Sequence, residues 1–122
     1  MAKARAALEE ARALARLDMW DGAVSRAYYA AFHAATAALV SQGVEARTHA
    51  GTHDLFFRHL VAPGRLPRAL SKDLAALQRY REQADYSASV RFAADTGADE
   101  VDRAGRIVEA VASLLAADPE TT

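Results

Sequence analysis

Apolar residues recur along this chain every three or four positions, and nowhere do they alternate convincingly as a strand would. The first such run, about Lys3 to Leu17, puts Leu8, Ala11, Leu14 and Leu17 on one side of an amphipathic helix. Asp18 and Asp21 then frame a tight connection, MWDG, that supplies an N-cap for a second helix. That helix continues to about Gln42, where Gly43 is a natural stop. A polar link, VEARTHAGTH, leads into a third helix carrying Leu55, Phe56, Leu60 and Val61. The segment APGRLP breaks the chain, and Pro67 opens a fourth helix over about Arg68 to Tyr86. SASVRFAADTG reads as a loop ordered by Val90 and Phe92. A last helix follows from about Ala98 to Ala116, with Val101, Ala104, Val108, Val111 and Leu115 inward.

Five helices with short connections predict an all-α fold: an antiparallel up-and-down four-helix bundle with one shorter extra helix. There are no internal repeats or low-complexity tracts, so residues 1–122 read as a single domain. Its core spans about residues 3–116, and the tail 117–122 is expected to fray. A chain of 122 residues is long enough to bury a core without disulfides or metals.

The second helix carries two apolar faces. At 100° per residue, Val24, Tyr28, Ala31, Phe32, Ala35 and Leu39 form a core stripe. Arg26, Tyr29 and His33 fall on the opposite side and continue to Thr36, Ala37 and Val40. This second face is aromatic and small where a solvated helix would show lysine and glutamate. Its expected cover is another subunit or a cleft.

The fourth helix poses a similar puzzle. Leu70, Leu74 and Leu77 form its inner stripe, and Arg81 falls within about 20° of the same line. A buried guanidinium needs a partner. Asp85, four residues on, is within reach of it. Arg81 with Asp85 reads either as a clamp closing the bundle or as an anion site, with Tyr86 as a neighbouring hydroxyl. The planar guanidinium suits a carboxylate or a phosphate equally well.

Composition narrows the chemistry. With 15 basic and 16 acidic side chains the net charge is −1, without the basic excess of a dedicated nucleic-acid binder. The absence of cysteine removes disulfides, zinc–thiolate sites and thiol nucleophiles. His49 and His53 are four apart, but Gly51 lies between them and no HExxH pattern accompanies them, so no metal site is assigned. His49 is read as a capping or loop group. The most apolar run, AVSRAYYAAFHAATAALV, contains Arg26 and His33 and reads as a buried helix, not a membrane span. The N-terminus MAKARAALEE lacks the apolar centre of a secretory signal, which predicts a cytoplasmic protein. Arginine preferred over lysine, with abundant alanine, points to a GC-rich bacterial genome.

Three segments taken in order, LEEARALARLDMWDGAVSRAYYAAFHAATAAL, RTHAGTHDLFFRHLV and LQRYREQADYS, resemble the small stand-alone HEPN proteins. The resemblance runs from about Leu8 to Leu115. It implies a helical bundle that dimerises with a cleft at the two-fold axis, frequently partnered by a minimal nucleotidyltransferase. Many such domains are metal-independent ribonucleases whose signature is an arginine followed, after four to six residues, by a histidine. Arg81 matches that arginine, but residues 82–88 hold no histidine, and Asp85 and Tyr86 stand in its region. His33, on the other helix of the implied cleft, is the candidate replacement. Tyr86 corresponds to the tyrosine that some partner transferases modify.

Three functional expectations follow. The leading one is a homodimeric module that binds a nucleotide or partner, works with a nucleotidyltransferase and needs no cofactor. The second is a ribonuclease toxin of a toxin–antitoxin pair. The third is a non-catalytic bundle. The residues on which they turn are Arg81, Asp85, Tyr86, Arg26, Tyr29 and His33.

Overall fold

In the computed structural model the described residues are 1–86 and 91–117, with the side chains of residues 85 and 86 also outside the description. Val90 and the tail beyond residue 117 therefore lie outside the described residues. Five α-helices follow one another: α1 (Ala2–Arg16), α2 (Trp20–Ser41), α3 (His49–Phe56), α4 (Ala69–Tyr86) and α5 (Ala94–Ala117). A π-helical turn, Phe57–Val61, continues α3. Among the described residues there is no strand, and the expected all-α bundle is the architecture observed.

Helix α2 is the axis of the bundle. It packs most extensively against α1 and α5, and also against α4 and α3. Alanine makes this possible: Ala23, Ala27, Ala30, Ala31, Ala34, Ala35 and Ala38 are all fully buried. A methyl side chain lets neighbouring helices approach closely and loses no rotamer entropy on burial. Larger groups fill the remaining space, chiefly Tyr28, Phe56, Leu60, Leu74, Leu77 and Ile107. The inner stripe of α4 falls where its spacing predicts, with Leu70, Leu74 and Leu77 buried.

Two helix ends close by the same device. Gly43, at φ +73°, follows the last turn of α2, where Val44 N–H donates to Leu39 O and Gly43 N–H donates to Val40 O. At the end of α1 the left-handed position is taken by Asp18, at φ 58°, with Met19 N–H donating to Leu14 O. Aspartate tolerates this conformation better than most residues with a Cβ. Asp18 thus ends α1 and does not begin α2. The N-cap of α2 is Met19, which supplies no side-chain hydrogen bond. Asp21, expected at the same cap, instead accepts from Phe92 N–H at 3.1 Å and pairs with Arg91 at 3.3 Å.

Two other boundaries differ from the sequence reading. Helix α3 begins at His49, inside the expected polar link, because Thr48 caps it by accepting from Gly51 N–H at 2.9 Å. Helix α5 begins at Ala94, four residues early, since Asp95 and Gly97 of ADTG are recruited into its first turn. Gly97 explains the recruitment. A Cβ there would stand 2.5 Å from Trp20 Cε3, so the missing side chain is the seat for the indole.

The charged network between α4 and α5 was not anticipated. Asp73 and Glu100 are buried, and Arg103 donates to both at 2.9 Å. Arg106 adds two further hydrogen bonds to Asp73, at 3.0 and 3.2 Å. Removing Asp73 strands Arg106 and leaves Arg103 with Glu100 alone. Asp73→Ala is expected to cost about 3 kcal/mol, the lower end for a broken buried pair because the arginines are partly exposed. Gly97→Ala is expected to cost about 1–3 kcal/mol through overpacking against Trp20. Urea unfolding midpoints of the two variants check both values.

Candidate functional site

Arg81 lies where α4 crosses the aromatic segment of α2. Its guanidinium carbon is 4.9 Å from the centre of the Tyr28 ring and 5.2 Å from that of Tyr29. Its Nη2 donates to the Tyr29 hydroxyl at 3.2 Å. Two phenol faces therefore fix the guanidinium, through the attraction of a cation to the negative face of a π-system. Arg81 does turn inward, as its place on the leucine stripe requires. The side chains of Asp85 and Tyr86 fall outside the described residues, so the expected Arg81–Asp85 pair does too.

Tyr28 joins this arginine to α3. Its ring is fully buried. Its hydroxyl is hydrogen-bonded to His49 Nδ1 at 2.8 Å. Burial pushes the phenol up to about 12, against the opposing pull of the Arg81 charge, so it keeps its proton at any physiological pH. The His49 ring also stacks on Phe32, with centroids 4.2 Å apart, and meets the Tyr29 ring edge-on at 6.5 Å. Phe32 was read as core. It is only partly buried, and it packs against the core while its ring stacks on this histidine.

His53, one turn further along α3, sits 6.3 Å from the Tyr28 ring. Its Nε2 is buried with no hydrogen-bond partner, as is Gln78 Oε1 on α4. Burial, reinforced by His49, lowers its pKa and favours the neutral ring, while Glu82 acts the other way. Glu82 itself accepts from Gln78 at 2.6 Å, so a polar row on α4 faces the histidines of α3.

Arg26 and His33 occupy the side of α2 toward α1. Arg26 donates to Glu10 at 3.2 Å and lies 4.9 Å over the Tyr29 ring. The His33 ring neighbours Tyr29 at 6.4 Å and Phe32 at 5.9 Å. Burial, then the positive charges of Lys3, Arg26 and the N-terminus, lower the His33 pKa. Helix α1 thus supplies part of the cover for the second face of α2. Tyr29 is the group common to both sides, touching Arg26 and His33 on one and Arg81 and His49 on the other.

The structure therefore brings Arg81 and Tyr29 together and adds Tyr28, His49 and His53, which sequence reasoning left out of the site. The available signal was the four-residue spacing of His49 and His53, which share a face once α3 starts at His49. A separate cavity of about 370 Å³, lined by Leu14, Met19, Trp20, Gly22 and Phe92 among others, does not include these residues. Among the described residues, no helix is long and apolar enough to cross a membrane.

Comparison with known proteins agrees with this architecture. The family model described as "HEPN domain" matches residues 1–117. A UPF0332 protein of Gloeobacter violaceus is 41% identical over 86 residues, covering 70% of this chain and 68% of that protein. A UPF0332 protein of Thermotoga maritima is 28% identical over 113 residues, 93% of this chain and 86% of that one. A Methanocaldococcus jannaschii protein named "Putative toxin" is 30% identical over 90 residues, 74% of this chain and 61% of that protein.

The buried histidine has a consequence for stability. Its folded pKa lies below the ordinary 6.5, so as pH falls through that value the unfolded chain takes up a proton the folded chain resists. Stability contributed by neutral His53 is present above pH 6.5 and is lost on acidification. His53→Gln is expected to make the decline between about pH 7 and 5 shallower, by at most about 1.4 kcal/mol per pH unit. Chemical denaturation at several pH values measures it.

Proposed function

For a chain that belongs to the HEPN domain family, we propose a toxin-like role in which Arg81 binds a phosphate group of RNA or of a nucleotide. The observation that carries this reading is the seat of Arg81 on Tyr28 and Tyr29. A guanidinium preoriented by ring faces loses little freedom when it engages an anion. Aromatic side chains beside it suit an unstacked base, which is how single-stranded RNA is generally held. The "Putative toxin" names carried by two relatives lend the toxin-like part its support.

In this reading the chain works as a cytoplasmic homodimer, a single domain over residues 1–122, beside a minimal nucleotidyltransferase. Val40, 64% exposed at the far end of the face that carries Tyr29 and His33, favours a second copy covering that side. Tyr86 remains the candidate for modification by the transferase, and Asp85 a neighbour of the anion. A structural clamp would account for Arg81 without any ligand, and the two readings separate experimentally.

Arg81→Ala is expected to weaken binding of a fluorescent single-stranded RNA or of a nucleoside triphosphate. The loss is about 10- to 100-fold, as for one charge-assisted contact. Arg81→Lys should recover part of it, since the charge remains and the fork geometry does not. Fluorescence anisotropy reads the affinity. A lowered melting temperature with every affinity unchanged would reduce Arg81 to a clamp.

A further inference from the structure

Among the described residues four large apolar side chains stand exposed: Leu17, Met19, Val40 and Phe57. Val40 lies on the side of α2 already given to a second copy. The phosphate-binding reading uses none of the other three.

Leu17 and Met19 belong to the connection between α1 and α2, where a solvated turn would carry small polar residues. Met19 lines the cavity of about 370 Å³ together with Leu14, Trp20 and Phe92. That volume lies in the range of binding pockets and has room for one aromatic side chain. Asp18 and Asp21 also line it, and Asp18 is exposed. Arg91, the basic residue of the lining, is paired with Asp21 at 3.3 Å. Helix α5 starts beside this pocket, because Gly97 seats the Trp20 indole. Its residues 94–99 add the exposed Asp95 and Asp99 and no lysine or arginine. This end of the molecule is an apolar pocket in an acidic frame.

Phe57 stands in the opposite company. It is exposed in the π-helical turn, within a stretch, residues 55–72, that holds Arg58, Arg65, Arg68 and Lys72 and no acid. Arg58 is paired with Asp54 one turn back, and Arg65 donates to Gln42. Arg68 and Lys72 are exposed. Gln42 caps the end of α2, whereas Trp20 is its first residue. The basic stretch and the pocket are therefore set apart by the length of α2, about 33 Å for 22 residues.

We propose that these two ends bind each other between copies of this chain. Phe57 of one molecule enters the pocket of the next, and its basic surroundings face the aspartates there. A phenyl ring would meet Trp20 and Phe92 in the offset or edge-on contacts that aromatic groups prefer. Aromatic and arginine side chains are enriched in protein interfaces, and opposite charges around an anchor fix its orientation. Because the two surfaces differ, the contact is head-to-tail. Repeated, it builds a ring or an open chain and not a two-fold pair. It is distinct from the dimer across the Tyr29 side of α2 and independent of Arg81.

Sedimentation velocity of the purified full chain over a concentration series tests this. The wild type is expected to gain mass with concentration at about 0.05 M salt. The gain should shrink at about 0.5 M, where charges are screened within a few ångströms. Met19→Arg sets a like charge against the incoming arginines, and Phe57→Ser removes the anchor. Each should weaken the association about 10- to 100-fold, as for a central interface residue. Both positions are exposed, so the thermal melts of the variants should match the wild type. A mixture of the two variants should regain mass, since each keeps the end that the other has lost.

A wild-type mass that does not change with concentration would overturn the proposal. So would a mixture no heavier than either variant alone, the mark of a symmetric contact. Association lost with Met19→Arg but kept with Phe57→Ser would give the pocket to another occupant and overturn it as well.

Discussion

The fully buried phenol of Tyr28 is the contact on which the arrangement of three helices depends. Helix α2 is enclosed on nearly every side, and most of its buried positions are alanine. A large ring with a polar tip can stay there only if the hydroxyl finds a partner. That partner is His49 at 2.8 Å, which fixes the start of α3 against α2. The face of the same ring takes the Arg81 guanidinium, which fixes α4. Hydrophobic burial brings the helices together, and the two polar contacts set their register.

Helix α4 places two charges on its inner stripe and treats them in opposite ways. Asp73 is buried and held by Arg103 and Arg106 from α5, a charge-for-charge arrangement that joins two helices. Eight residues on, about 12 Å along the helix, Arg81 rests on neutral rings of α2. Carboxylates in a buried network exhaust the charge of their arginines on structure. Phenol rings orient the Arg81 guanidinium through their faces, so this end of α4 is joined to α2 by cation–π contacts.

Much of the fold was legible because helical period and punctuation agree along the chain. The stripe Leu70, Leu74, Leu77 predicted one buried face, and Gly43 predicted the end of α2 with its left-handed turn. The failures have one cause, partners distant in sequence. The glycine of ADTG looks like a loop residue until Trp20 is set upon it. Asp21 looks like a cap until Phe92 and Arg91 arrive from seventy residues away. Asp73 lies on the leucine stripe by the same spacing that drew attention to Arg81, yet the arginines that hold it belong to another helix.

The same limit applies to the site. A search for a histidine after Arg81 looks along α4, where sequence neighbours are spatial neighbours only three or four residues away. A bundle offers a second route, because α3 runs past the same Tyr28 ring and carries His49 to it. Arg81 and His49 meet through a tyrosine contributed by neither helix. The family's linear signature looks along one helix, whereas this bundle brings an arginine and an imidazole from two different helices to one ring.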